Sequence, residues 1–247
     1  MDIPKPAAER AMWALLESVK DIVEANPDHF AKIALSHRNA LQRIKRRGVE
    51  IGTVIDLGAA RGDWSKMARA VWPNTKCHLI EANHHWQREL HELSADPAYS
   101  FVIAAAGPSK GAGMFRFTEN NPFGGAGTLG GEPDAVRVPQ VTVDSECAER
   151  QLKAPFLLKF DTHGFEREML KGCTETLKHT ELLVIEAYNF GPREKRFPAM
   201  LELLEDMGFR CVDIGEPLFR ERDRSFWQMD FFLRPLHASE LQAENYR

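Results

Sequence analysis

Val54-Ile55-Asp56-Leu57-Gly58-Ala59-Ala60-Arg61-Gly62 is an apolar run that closes on an acid, turns through glycine and opens an amphipathic stretch at Asp63. The pattern predicts a buried strand, a tight turn and a helix. Gly58 and Gly62, with Ala59 between them, let backbone approach a ligand at the carboxyl end of the strand, where doubly wound sheets hold cofactors. A dinucleotide fingerprint needs a further glycine at position 60, where a pyrophosphate crowds the turn, and the chain has Ala60. An NAD-dependent oxidoreductase is therefore the weaker reading.

S-adenosylmethionine carries no phosphate, and its sulfonium and ammonium groups favour a carboxylate beside the loop, which Asp56 supplies at the strand tip. The next apolar run, Cys77-His78-Leu79-Ile80-Glu81, ends on an acid placed to accept both hydroxyls of a ribose. Dinucleotide folds place an equivalent acid about 20 residues on. Glu81 thus supports a ribose without selecting one cofactor.

Outward from this centre, short apolar runs alternate with helical patterns: TVIDLG, KCHLIEA, SFVIAAA, PFLLKFD, ELLVIEAY, GFRCVDI and FWQMDFFL. Such alternation predicts an α/β fold with a mostly parallel, Rossmann-like sheet covered by helices on both faces. The stretch from Gly111 to Val143 interrupts it, with MFRF and VRVPQVTV flanking the glycine-rich ENNPFGGAGTLGG. We expect two extra strands there around a flexible, lid-like loop, whose Asn120, Asn121 and Phe123 are candidate acceptor contacts. Residues 6–47 read as two amphipathic helices broken at Asn26-Pro27-Asp28, with Asp28 capping the second and Gly48 ending it. Trp13, Leu16, Val19 and Ile22 form a packing face. The division expected is a helical extension over 1–50, one catalytic domain over 51–236 and a tail over 237–247.

With 32 Lys+Arg against 36 Asp+Glu, the net charge of −4 supplies no positive field for nucleic acid. A small uncharged acceptor fits better. Cys77, Cys147, Cys173 and Cys211 form no C-x-x-C pair, which argues against a zinc knuckle or a disulfide framework and for a reducing compartment. No run is long and apolar enough for a membrane span, and the N-terminus lacks a signal-peptide pattern, so a cytoplasmic location is expected. The oligomeric state is left open, with a homodimer among the options.

Further along stand Leu158-Lys159-Phe160-Asp161-Thr162-His163-Gly164-Phe165-Glu166, then Leu170-Lys171-Gly172 and Val184-Ile185-Glu186. This resembles the FkbM family of adenosylmethionine-dependent methyltransferases, whose pattern there runs lysine, apolar, aspartate, two variable residues, glycine, variable, glutamate. The resemblance extends from Val54 to Arg234 and includes Val141-Thr142-Val143-Asp144 and Gln228-Met229-Asp230. It implies a class I methyltransferase fold, seven strands with the last antiparallel, and methyl transfer usually to a hydroxyl oxygen of a sugar, polyketide or similar small acceptor. Ala82 and Ala105 then fall among the cofactor contacts. The chain reads Ile103-Ala104-Ala105-Ala106 where many relatives carry an asparagine, which removes one polar contact to the adenine.

Period-two alternation puts Lys159 and Asp161 on one face of their strand. An ammonium inside a central strand needs a partner, and Glu186 on the expected neighbour is the available one, so a Lys159–Glu186 ion pair or a network shared with Asp161 is expected. His163, just past the strand tip, can take a hydroxyl proton as methyl transfer proceeds. Asp161 also belongs to the cofactor side. No metal is required by this reading; the alternative is Mg²⁺ held by Asp161 and Glu186. Glu166 matches the family pattern, and Glu168 is expected at the surface. A catalytically silent adenosylmethionine-binding module is the reading from another class.

Overall fold

The computed structural model describes residues 34–118, 121–128 and 134–242. Seven strands form one sheet: β1 (Thr53–Leu57), β2 (Lys76–Glu81), β3 (Tyr99–Ile103), β8 (Phe156–Phe160), β9 (Thr180–Tyr188), β10 (Phe209–Phe219) and β11 (Phe226–Pro235). They lie in the order β10-β11-β9-β8-β1-β2-β3. The five strands from β9 to β3 are mutually parallel, and β11 runs antiparallel to both β9 and β10. Every apolar run named above forms one of these strands, and the topology is the class I, Rossmann-like one that the resemblance implies. Among the described residues no helix is long and apolar enough to cross a membrane.

Alternation along the strands sorts the core into two layers. Ile55, Leu57, Leu158, Phe160, Leu183 and Ile185 face one way, packing with α4 (Val143–Glu149), α5 (Glu166–Leu170), α6 (Thr174–Leu177) and α7 (Phe197–Asp206). Val54, Leu157, Leu182, Val184 and Phe232 face the other way, against α1 (His37–Arg46), α2 (Asp63–Val71) and α3 (Gln87–Leu93). Asp56, Lys159 and Glu186 share the parity of this second layer, so these three charged side chains point to one side of the sheet. At about 25 cal/mol per Å² of apolar area, such double burial is the main stabilising contribution.

The N-terminal helix begins later than expected. Ser36 is extended (φ −67°, ψ 151°), and its hydroxyl accepts from the Asn39 amide at 3.4 Å, so α1 starts at His37 and does not run unbroken from Asp28. Asp28, Trp13, Leu16, Val19 and Ile22 lie outside the described residues. Arg43 on α1 makes a two-pronged bond to Asp213 on β10, at 2.9 and 2.7 Å, which ties α1 to the sheet edge. At the other terminus Ala238 is buried and Glu240 bonds Arg234 at 2.9 Å, so the segment beyond 237 is docked at its start.

The insertion is richer than expected. Instead of two strands it supplies three, β5 (Gly111–Phe117), β6 (Gly125–Thr128) and β7 (Val136–Val141), which join the preceding β4 (Ala105–Ala106) in a four-stranded sheet of order β4-β7-β5-β6. The glycine-rich stretch itself supplies β6, because pairing with β5 satisfies its backbone while the missing side chains leave room for Phe115 and Phe165.

Candidate functional site

Three turns meet at the carboxyl edge of the parallel strands. After β1, Gly58, Ala60 and Gly62 all have positive φ (79°, 47° and 80°). A Cβ at Gly58 would lie 2.0 Å from the carbonyl oxygen of Asp161, so glycine is required both by conformation and by contact with the turn after β8. Gly62 has a different duty: its missing side chain leaves space for Leu79 and Leu93, and it opens α2. The turn after β8 carries His163 at φ 57° and Gly164 at φ 105°.

After β2, Glu81 is buried, and its two oxygens each accept one backbone N–H, from Asn83 and from Ala60, both at 2.7 Å. Each oxygen keeps lone pairs for a further donor. Burial raises its pKa and the two N–H bonds oppose that rise.

These turns frame a cleft of about 570 Å³, open solvent at its mouth included. Gly58, Glu81, Ala82, Ala105, Asp161, His163 and Phe123 all line it. Apolar Ile80, Trp86, Ala104, Ala106, Phe115 and Met169 form most of the remaining wall, with Asn83 and Thr162 among them. Ala59 and Gly62 stand behind the wall and shape the turn. Asn121 is in the roof loop, accepting from the Phe123 amide at 3.2 Å, and Asn120 lies outside the described residues. Phe123, expected at the acceptor, packs 4.7 Å from the Trp86 ring and beneath the Arg61 guanidinium at 5.7 Å, on the Glu81 side. The Pro122 carbonyl accepts from Trp86 Nε1 at 3.0 Å and from Asn83 Nδ2 at 3.1 Å.

Asp56 and Lys159 lie one layer below. Asp56 is fully buried; its Oδ2 accepts from the Ser65 hydroxyl at 2.7 Å, while Oδ1 has no hydrogen-bond partner and faces Lys159 Nζ at 3.8 Å. Burial raises the Asp56 pKa and the Lys159 charge opposes it. Lys159 donates to Asp161 Oδ2 at 2.6 Å and sits over the Trp64 ring at 5.5 Å. Burial alone would lower the Lys159 pKa; Asp161 and Asp56 outweigh it and hold the ammonium above its ordinary value. In return Lys159 outweighs the burial of Asp161 and keeps that carboxyl ionised.

The expected Lys159–Glu186 pair is absent from this network, although the one shared with Asp161 is present. Register explains it: Lys159 pairs with Asp56 on one side and with Val184 on the other, and Glu186 lies beyond the end of β8. Glu186 accepts instead from the Tyr188 hydroxyl and from Gln228. Burial, and then the charge of Asp161, pushes its pKa up to about 8. Asp161 and Glu186, named above for Mg²⁺, are grouped with His163 so that one ligand atom of each lies within 4.8 Å of the others. The ammonium of Lys159 already supplies positive charge to one Asp161 oxygen.

His163 Nδ1 lies 2.9 Å from the Gly125 carbonyl, and Nε2 is 3.7 Å from Asp161 Oδ1. Glu166 is buried, accepting from the Gly164 amide at 2.9 Å and the Thr162 hydroxyl at 3.2 Å, so it braces the turn after β8; Glu168 pairs with Lys171 at the surface. Sequence reasoning missed Asn83, Trp86 and Ser65. The first two lie in the short segment after Glu81, and Ser65 lies in the first turn of α2 on the face toward Asp56; these positions were the available signals.

The sequence profile described as the methyltransferase FkbM domain matches residues 56–211. No curated protein sequence matches the chain. Among solved structures, methyltransferase FkbM from Methylobacillus flagellatus KT aligns with TM-score 0.48 and 17% identity, over 81% of this chain and 49% of its own, so the chain spans about half of that protein's length. The 1,6-didemethyltoxoflavin-N1-methyltransferase of Burkholderia thailandensis, solved with 1,6-didemethyltoxoflavin and S-adenosylhomocysteine, aligns with TM-score 0.42 and 14% identity over 95% of this chain and 93% of that one. Fibrillarin from Aeropyrum pernix, with natively bound S-adenosyl-L-methionine, gives 0.44 and 12% over 78% and 73%. Because the matched segment takes in well over half of the residues, from the acid of the first strand to the tenth strand, the chain belongs to the FkbM family of methyltransferases.

Proposed function

We propose that the chain binds S-adenosylmethionine in this cleft and transfers its methyl group to a hydroxyl of a small acceptor. The observation that carries the reading is Glu81: a buried carboxylate with both oxygens steadied by backbone N–H groups, at the mouth of an apolar slot built from alanine and aromatic side chains. A ribose diol suits that acid, and an adenine suits the slot between Ala82, Ala105 and Phe115. The residues also fit the cofactor's charge. Asp56 and Asp161 share one ammonium, Glu186 stands beside Asp161 without one, and Asp56 Oδ1 lacks a hydrogen-bond partner, so the site carries an excess of acid that a cationic ligand relieves.

When bound, the cofactor supplies a methyl group on a sulfonium, which leaves by in-line displacement. The chain's work is to position and to move one proton. Gly58 admits the ligand backbone-close, and Lys159 holds Asp161 ionised below the reacting centre. His163 presents Nε2 to the acceptor hydroxyl, takes its proton as the oxygen–carbon bond forms, and becomes an imidazolium facing Asp161.

Calorimetric titration with adenosylhomocysteine tests the site. Glu81→Ala and Asp56→Ala should each weaken binding at least tenfold, on the order of 1.4 kcal/mol. Wild-type affinity in both removes the proposed site. With the cofactor site intact, His163→Ala should retain affinity and lose methyl transfer from labelled adenosylmethionine to hydroxylated acceptors.

A further inference from the structure

The imidazole of His163 is placed between two groups that ask for opposite protonation. The Asp161 carboxylate, 3.7 Å from Nε2, favours a proton on that nitrogen, which would leave no lone pair there to accept one. The Gly125 carbonyl, 2.9 Å from Nδ1, can only accept a hydrogen bond, so it favours the proton on Nδ1 and leaves Nε2 bare. The shorter contact is the stronger one. Only the form set by Gly125 is a base at Nε2.

Gly125 belongs to the insertion, and its place depends on residues across the cleft. Pro122 is pinned through its carbonyl by Trp86 Nε1 and Asn83 Nδ2, and Phe123 lies on the Trp86 ring. Gly125 itself packs on Phe115: a Cβ there would meet the ring at 2.7 Å. Asn83 and Trp86 follow Glu81, so the roof is anchored on the segment assigned to the nucleoside.

We propose that Trp86 and Asn83 are positioning residues for methyl transfer: by anchoring the roof loop they hold the Gly125 carbonyl against His163 Nδ1 and thereby keep Nε2 free to accept the substrate proton. The proposal rests on the reading of His163 as proton acceptor. It also couples the two halves of the site, because the wall that receives the nucleoside sets the state of the base.

The test is the tautomer of His163, read from nitrogen-15 NMR of the histidine-labelled chain, with and without adenosylhomocysteine. Wild type should show the proton on Nδ1 in the majority form. Trp86→Phe keeps the ring and deletes its donor, and Asn83→Ser keeps a capping oxygen for His85 while deleting the amide donor. The double variant should shift the majority to the Nε2 proton, with each single variant between. A wild-type spectrum with the proton on Nε2 overturns the proposal without any variant, as does a folded double variant with the Nδ1 form unchanged. Should wild type fail to bind adenosylhomocysteine, the cofactor reading fails, and the tautomer of the free protein still decides this proposal.

Discussion

Replacing Lys159 with methionine removes the one ammonium among the described residues that lies between Asp56 and Asp161, and the structure sets the scale of the loss. Lys159 and Asp56 are 3% and 0% exposed, so the bared Asp56 carboxylate cannot turn to solvent. Deleting one partner of a buried pair costs about 3–5 kcal/mol. Asp161, at 33% exposure, recovers part of its compensation from water. The lower figure, about 3 kcal/mol, therefore applies, and at about 2–4 °C per kcal/mol for a chain of this size Tm falls by about 6–12 °C. Differential scanning calorimetry at neutral pH measures it. Adding Asp161→Asn to Lys159→Met should restore part of the loss, since two neutral groups leave one fewer stranded charge, and the two changes should be non-additive by about 1 kcal/mol or more. A Lys159→Met protein that melts within about 2 °C of wild type would refute the reasoning.

Two pH effects follow from the same physics. Glu186, pushed up to about 8 from its ordinary 4.5, is protonated at neutral pH in the free protein; the stability tied to this is full below pH 4.5 and is lost as pH rises through about 8. A sulfonium beside it favours ionisation, so binding of adenosylmethionine near pH 7 should release protons and binding of adenosylhomocysteine should release fewer, as read by calorimetry in buffers of different ionisation enthalpy; equal release counts against Glu186 facing the sulfonium. On the sheet's other flank, burial depresses the His78 pKa below 6.5, while the His78 and Arg150 bonds hold Glu146 at about 2 against its ordinary 4.5. Both folded values lie below the unfolded ones, so stability is full above pH 6.5 and declines on acidification, first through His78 and then between 4.5 and 2. Glu146→Gln should flatten the lower limb in urea titrations, and parallel curves from pH 5 to 2 would contradict the assignment.

How much of this was legible in the sequence divides along contact range. The seven strands could be read because each is a short local apolar run, and the turn at Gly58 because acid, glycine and helix start are contiguous. Lys159 announced itself as a charge in an apolar strand, but its partner depended on register: Asp56 stands directly opposite, whereas Glu186 lies past the strand end. The placement of Phe123 was hidden for a similar reason. Nothing local distinguishes a loop that reaches outward to an acceptor from one that folds back on Trp86, and only tertiary packing decides. Likewise β6 forms in a glycine-rich stretch of poor strand propensity because β5 offers it a ladder.

The contact between Gly58 and the Asp161 carbonyl has a consequence for how such a site can change. With no space for even a methyl group between them, the corner after β1 and the corner after β8 behave as a single rigid joint. Change in ligand preference is therefore expected elsewhere in the cleft lining, as at the exposed Phe123, while the joint itself is left untouched. Diversity at the rim and invariance at the hinge-pin are two outcomes of one missing side chain.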